Sequence, residues 1–291
     1  MTKPYEKLAM DVYANVYYQT KDRVDKNHGK PVLIISGESH FDPPLEKLTN
    51  VFRDASQQEP AMAAAYGHLA AINAAIRIAG KENVVISFER DPDVVEKIVG
   101  DAKKNYGSVE KYFGDNLDVD APMGYAFRYA YNQGLKIVGS DKGDKAAIER
   151  NDGDLRAASE DKGRYMEEIV ALKELAATHK PHIVVHIGGV NHMATLAGFP
   201  FDKDPYKSDF ENPFKKTYGS PVFMFGGDRN SKSPQAEYFK DSRHAIQVDA
   251  PGKMDDRDLL DIDLRVEAAA DNISPKGIVP PLSSPSRGPK P

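Results

Sequence analysis

The stretch HIVVHIGG (residues 182–189) decides the fold more than any other part of the chain. It is apolar, rich in β-branched residues and closed by two glycines, which is typical of a strand buried on both faces of a parallel sheet. Three more stretches share this character, namely PVLIISG (31–37), NVVISFE (83–89) and LKIVGSD (135–141). Two shorter runs, SPVFMFGG (220–227) and HAIQVDA (244–250), predict later strands.

Helical patterns separate these predicted strands. They cover PAMAAAYGHLAAINAAIRIAG (60–80), DPDVVEKIVGDAKKNY (91–106), PMGYAFRYAYNQG (122–134) and EDKGRYMEEIVALKELAATH (160–179). Asp91 followed by Pro92 suits a helix start, and Gly80 suits a helix end. The alternation of strand and helix predicts an α/β fold with a mostly parallel central sheet flanked by helices.

The domain organisation follows from shifts in composition. We expect a single α/β domain over residues 1–267, in which the polar segment 200–243 is a loop-rich insertion, or loops and a short hairpin that cover the site. Residues 268–291 form a Pro- and Ser-rich tail with almost nothing to bury, which predicts disorder.

Composition excludes several classes of function. The formal net charge of -5 and the lack of a basic stripe argue against a nucleic-acid binder. The absence of cysteine excludes disulfides, thiolate nucleophiles and Cys-ligated metal centres. No apolar run has the length of a membrane span, and the N-terminus lacks the apolar core of a signal peptide. The sequence therefore predicts a soluble protein that is cytoplasmic or exported without a classical signal peptide.

Ionisable residues follow all four main strands. His40, Glu89, Asp141 and His192 each stand at or just beyond the carboxyl end of a predicted strand. Because ligands of open α/β sheets bind at this edge, these positions predict one polar site. Two of the strand ends also share a pattern, since GESH (37–40) and GVNH (189–192) both have the form G-x-x-H.

These motifs resemble those of the superfamily that contains erythromycin esterases, ChaN-like haem-binding lipoproteins, TraB/PrgY proteins and Tiki proteases. That superfamily has two G-x-x-H motifs, a glutamate that closes the second strand, and a contributing arginine. GESH (37–40), FER (88–90) and GVNH (189–192) match these features in order. The resemblance, which spans residues 30 to 200, implies a bacterial hydrolase with a His/Glu site, with or without a divalent metal.

Each candidate has a structural alternative. His40 and His192 suit a general base or metal ligands, but each could instead cap a loop. Glu89 and Glu38 could orient the imidazoles, act in acid–base catalysis, or complete a metal shell with the histidines, and Glu89 could instead form an ion pair. The predicted metal ligands are His40, Glu89 and His192.

Three further residues are candidates for cofactor binding. These are Asp141, Arg150 and Asn191. Asp141 could hold a metal, pair with an arginine, or cap the following helix. The arginine of the site is open among Arg150, Arg156 and Arg164, since none aligns uniquely, whereas strand alternation turns Arg90 away from Glu89.

Two other histidines have mainly structural interpretations. His186 lies inside the fourth strand and is predicted to be a buried, hydrogen-bonded core residue. His68 lies on the Ala-rich helix, where packing is the simpler account, although it could line the pocket or bind haem.

Three functions compete. The first is hydrolysis of an ester or amide in a small-molecule or peptide substrate. A serine-hydrolase route is disfavoured, because no G-x-S-x-G motif occurs. The second is haem or metal binding of the ChaN-like kind. The third is a toxin or effector domain built on the same scaffold.

Overall fold

In the part of the chain that the structure describes, six strands form one sheet in which every neighbouring pair is parallel. The structure is a computed structural model and describes residues 13–14, 17–18, 20–26, 31–38, 58–105, 121–154, 157–158, 162–179, 182–189, 222–225 and 245–248. The strands are β1 (Val32–Glu38), β2 (Val84–Phe88), β3 (Lys136–Gly139), β4 (Ile183–Gly189), β5 (Val222–Phe225) and β6 (Ala245–Val248). Their spatial order is β3-β2-β4-β1-β5-β6. The predicted α/β fold with a parallel sheet is confirmed.

Helices occupy the four predicted stretches, and one more helix, Gly143–Arg150, follows β3. They are α1 (Gln58–Ala79), α2 (Pro92–Asn105), α3 (Ala121–Asn132), α4 (Gly143–Arg150) and α5 (Lys162–His179). Asp91 caps α2 as predicted, because its Oδ1 accepts the Asp93 N–H at 2.8 Å. Gly80 ends α1 with a φ of 81°, a conformation that suits glycine, and its N–H donates to Ile76 O at 2.8 Å.

The main apolar core lies between the sheet and helices α1, α2 and α3. Ile86 and Phe88 of β2 and Val185 of β4 are buried in it against residues of α1 such as Ile72. Phe88 also packs on Phe127 of α3, with ring centroids 5.2 Å apart. Burial of such side chains is the chief stabilising contribution to a domain of this kind.

The opposite face of the sheet carries polar residues of β2 and β4. Side chains alternate along a strand, so Ser87 lies on the opposite face of β2 from Ile86 and Phe88, and His186 lies on the opposite face of β4 from Val185. Helix α5 packs on this second face, where its Glu168 contacts His186. Both faces of the central strands are therefore covered, as their continuous apolar sequence predicts.

The later strands extend the sheet beyond β1. Strand β5 lies inside the polar segment 200–243 and pairs in parallel with β1 and with β6, so this part of the segment belongs to the sheet and forms no hairpin. The rest of that segment and the tail 268–291 lie outside the described residues. Among the described helices, none is both long and apolar enough to cross a membrane.

Candidate functional site

Two of the predicted site residues meet at the carboxyl edge of the sheet. Strand β2 ends at Phe88, and Glu89 follows directly; β3 ends at Gly139, and Asp141 comes two residues later. Since β2 and β3 are parallel neighbours, their ends lie side by side. The Asp141 N–H also donates to Arg90 O at 3.1 Å, which ties the two strand ends together through the backbone.

Arg164 of α5 joins these two carboxylates. Its Nε lies 3.0 Å from Asp141 Oδ2 and its Nη2 lies 2.5 Å from the same oxygen, while Nη2 is 3.7 Å from Glu89 Oε1. The side chain of Arg164 is 13% exposed, and those of Glu89 and Asp141 are 6% and 2% exposed. A guanidinium that bonds a carboxylate through two nitrogens is held in a defined orientation. The three side chains therefore form a preorganised and largely buried charge cluster, which we call the Glu89–Arg164–Asp141 cluster.

Glu89 also connects this cluster to the second G-x-x-H motif. Its Oε2 accepts a hydrogen bond of 2.6 Å from the backbone N–H of Gly189, the first residue of GVNH. The Glu89 N–H in turn donates to Ile187 O at 2.9 Å. The glutamate that closes β2 is thus bonded to the end of β4, where the motif begins.

The two G-x-x-H motifs leave the sheet from adjacent strands. Strands β1 and β4 are parallel neighbours, and in their register Gly37 pairs with Gly188 and Glu38 pairs with Gly189. The strand that follows β1 in the chain, β2, lies on one side of this pair in the sheet, and the strand that follows β4, β5, lies on the other side. Neighbouring strands of this kind mark the place where open α/β sheets bind ligands.

The structure does not describe several of the predicted site residues. His40, Asn191, His192 and Arg156 are outside the described residues, and Glu38 is placed only by its position in β1. Their predicted roles in catalysis, metal binding or cofactor binding stay predictions.

The structure separates the remaining candidate arginines. Arg150 lies on α4, where its Nη1 pairs with Glu167 Oε1 at 2.7 Å, and both side chains are more than a third exposed. Arg164, and not Arg150, therefore holds Asp141. The alternative that Asp141 pairs with an arginine is confirmed, while α4 begins after the N-cap residue Lys142, whose side chain makes no capping bond.

The two carboxylate oxygens of Glu89 have different partners. One of its oxygens accepts a backbone N–H, and the other faces the Arg164 guanidinium. Asp141 likewise directs both oxygens to Arg164. Among the described residues no group of three or more His, Asp or Glu side chains is arranged to hold a metal ion, and the predicted ligands His40 and His192 lie outside those residues.

A second polar group lies behind the cluster, deeper in the molecule. His186 has Nδ1 3.2 Å from Ser87 Oγ and 3.4 Å from Ser140 Oγ, and its Nε2 lies 3.1 Å from Glu168 Oε1. His186 and Glu168 are both fully buried. The prediction of a buried, bonded core histidine is confirmed. Sequence reasoning missed Glu168, although its position four residues after Arg164 on one helix gives both side chains the same face.

His68 is a packed core residue. It is fully buried on α1, with Nδ1 2.7 Å from Ser36 Oγ of β1. Burial lowers the pKa of His68 from 6.5 to about 3, because desolvation disfavours the charged imidazole. These surroundings fit the packing interpretation and give no support to a haem ligand at this position.

Comparison with known proteins gives no relative for this chain. No protein family model, curated protein or solved structure matches it. The resemblance to the erythromycin esterase, ChaN-like and Tiki superfamily therefore rests on the three motifs of the sequence, and the fold and the Glu89–Arg164–Asp141 cluster stand on the structure alone.

Proposed function

We propose that this protein hydrolyses an ester or amide bond at the carboxyl edge of its sheet. In this proposal His40 and His192 carry out the proton transfers, and the Glu89–Arg164–Asp141 cluster fixes the end of β4, from which His192 follows. The observation that carries it is the hydrogen bond from the Gly189 N–H to Glu89 Oε2, which links the carboxylate of β2 to the first residue of GVNH.

The register of the sheet supports the pairing of the two motifs. Because Glu38 of the first motif pairs with Gly189 of the second, the two histidines follow neighbouring strand ends by two and three residues. The extended chain covers about 3.3 Å per residue, so segments this short allow both imidazoles to reach one substrate. A neutral imidazole is the side chain best suited to accept a proton near pH 7.

The chemistry assigned to these residues is general acid–base hydrolysis. One histidine takes a proton from water while the water oxygen bonds to the substrate carbonyl carbon. The resulting tetrahedral intermediate then expels the alcohol or amine, which receives a proton from an imidazolium. An arginine or backbone N–H groups would stabilise the oxyanion. A divalent ion would polarise the carbonyl in a metal-assisted variant of this reaction.

The test is a hydrolysis assay on purified protein with aryl esters, a lactone and a peptide anilide. His40→Ala and His192→Ala should each lower kcat/KM by about 10²- to 10⁴-fold, which is the usual contribution of a general base. His182→Ala is the matched control, because His182 is exposed and stands at the opposite end of β4. It should retain wild-type activity.

Two outcomes would contradict the proposal. One is a wild-type protein that cleaves none of the three substrate types. The other is a set of histidine variants that cleave as fast as the His182→Ala control. A rate that disappears with a chelator and returns with a divalent ion would replace the metal-free route by the metal-assisted one.

A further inference from the structure

The buried pair formed by Glu168 and His186 has no part in the acid–base chemistry described above. Both side chains are fully buried, and their contact joins α5 to the middle of β4. Burying an ionisable carboxylate is costly unless it has a partner, and His186 is such a partner for Glu168.

Helix α5 connects this pair to the charge cluster. Arg164 and Glu168 are four residues apart, so they lie one above the other on the same face of α5. Glu168 contacts His186 on β4, while one turn earlier Arg164 contacts Asp141 and Glu89 beyond the ends of β3 and β2. Two consecutive turns of one helix are thus attached to three neighbouring strands.

The partners of His186 lead to the same two carboxylates. Its Nδ1 faces Ser87 Oγ and Ser140 Oγ, and Ser140 Oγ also donates to Phe88 O at 3.2 Å. Ser87 stands two residues before Glu89, and Ser140 stands directly before Asp141. The imidazole therefore contacts both backbone segments that carry the acidic partners of Arg164.

We propose that Glu168 and His186 are positioning residues, which set the height and rotation of α5 so that Arg164 reaches Asp141 and Glu89 together. Displacement of α5 by one ångström would break the short contact between Arg164 Nη2 and Asp141 Oδ2, since charge-assisted bonds weaken steeply with distance and angle. The catalytic consequence of this pair rests on the proposed function. The effect of the pair on the position of Arg164 can be measured without substrate.

The experiment follows the Nε–H signal of Arg164 by NMR in the full-length protein with ¹⁵N-labelled arginine. The signal is assigned by its loss in Arg164→Lys. In Glu168→Gln, exchange of this proton with solvent should become about tenfold faster or more, as expected for a local opening. Glu167→Gln is the matched control, because the neighbouring Glu167 pairs with the exposed Arg150. In that control the Arg164 signal should exchange as in the wild type.

A double variant separates positioning from stability. Replacing Glu168 and His186 together by leucine removes both polar partners and leaves an apolar contact, a change that often preserves folding. The backbone amides of β2 and β4 should then stay protected from exchange, while Arg164 Nε–H exchanges rapidly. Protected strands together with a wild-type Arg164 signal would overturn the proposal. A proportional loss of protection at the strands and at Arg164 would also overturn it, since the pair would then serve stability alone.

The test is independent of the proposed function. A wild-type protein without hydrolytic activity leaves the exchange result unaffected. Where hydrolysis is found, Glu168→Gln should lower kcat by about tenfold with little change in KM, because the pair acts on the orientation of the site and not on substrate contacts.

Discussion

Removal of Arg164 gives the most direct measure of the charge cluster. The variant Arg164→Met keeps most of the apolar stem but deletes the guanidinium that faces Asp141 and Glu89, whose side chains are 2% and 6% exposed. Opposite unit charges about 4 Å apart attract by about 4 kcal/mol at an effective dielectric constant of about 20. Removing one partner of a buried pair costs about 3–5 kcal/mol, because the charge that is left has neither water nor a counter-ion.

Urea unfolding followed by circular dichroism measures this loss. We expect Arg164→Met to lower the free energy of unfolding by about 3–5 kcal/mol, which most single domains survive. Arg150→Met is the matched control, because its pair with Glu167 is largely exposed; exposed pairs contribute about 0–1 kcal/mol. Adding Asp141→Asn to Arg164→Met should recover part of the loss, since one unpaired charge disappears.

The result that refutes this reasoning is a loss for Arg164→Met no larger than that for Arg150→Met. The charges of the cluster would then be solvated or compensated by other groups, and the cluster would not fix the strand ends.

Two further predictions concern the pH dependence of stability and the close packing of the strand ends. His68 has a pKa of about 3 in the fold, below its unfolded value of 6.5, so the unfolded chain binds the extra proton between these values and stability falls as the pH drops from 6.5 toward 3. This group contributes a slope of up to about 1.4 kcal/mol per pH unit to the free energy of unfolding. His68→Gln, which can still bond Ser36, should flatten the urea-derived stability curve between pH 6.5 and 3. An unchanged slope would contradict the buried neutral state of His68. A Cβ at Gly139 would collide with the carbonyl oxygen of Arg90, whereas one at Gly100 in α2 meets nothing within 4 Å. Thermal unfolding should therefore show Gly139→Ala destabilised by about 1–3 kcal/mol and Gly100→Ala stabilised by about 0.5–1 kcal/mol, and equal effects would refute this difference.

Much of the fold was accessible from the sequence, because its strands are buried on both faces. Runs of β-branched residues such as IVVHI in β4 have no competing helical pattern, and the structure places β1 to β4 within a few residues of the predicted bounds. The short β5 and β6 were also predicted as strands. The spatial order of the strands could not be predicted, because it depends on which strand edges pair and all the strands have a similar apolar composition.

The candidate site was predictable where the chain leaves a strand. Glu89 and Asp141 follow the ends of β2 and β3 by one and two residues, so the sheet fixes their location once it forms. Arg164 could not be singled out among three arginines, because the packing of the helices against the sheet decides which arginine faces inward. Glu168 could not be predicted for the same reason. In the run Glu167-Glu168 one glutamate pairs at the surface and the other is buried against His186, a distinction set by helix packing.

The position of β4 has a consequence for how the chain assembles. This strand separates β1 from β2, although some hundred residues lie between β2 and β4 in the chain. A nascent chain that has not yet supplied residues 183–189 has two apolar strands that cannot pair with each other in their final register. Until then, their open edges are available to other chains. The slow, non-local insertion of this strand would then limit the folding rate, and truncation upstream of it would favour aggregation over a smaller stable domain.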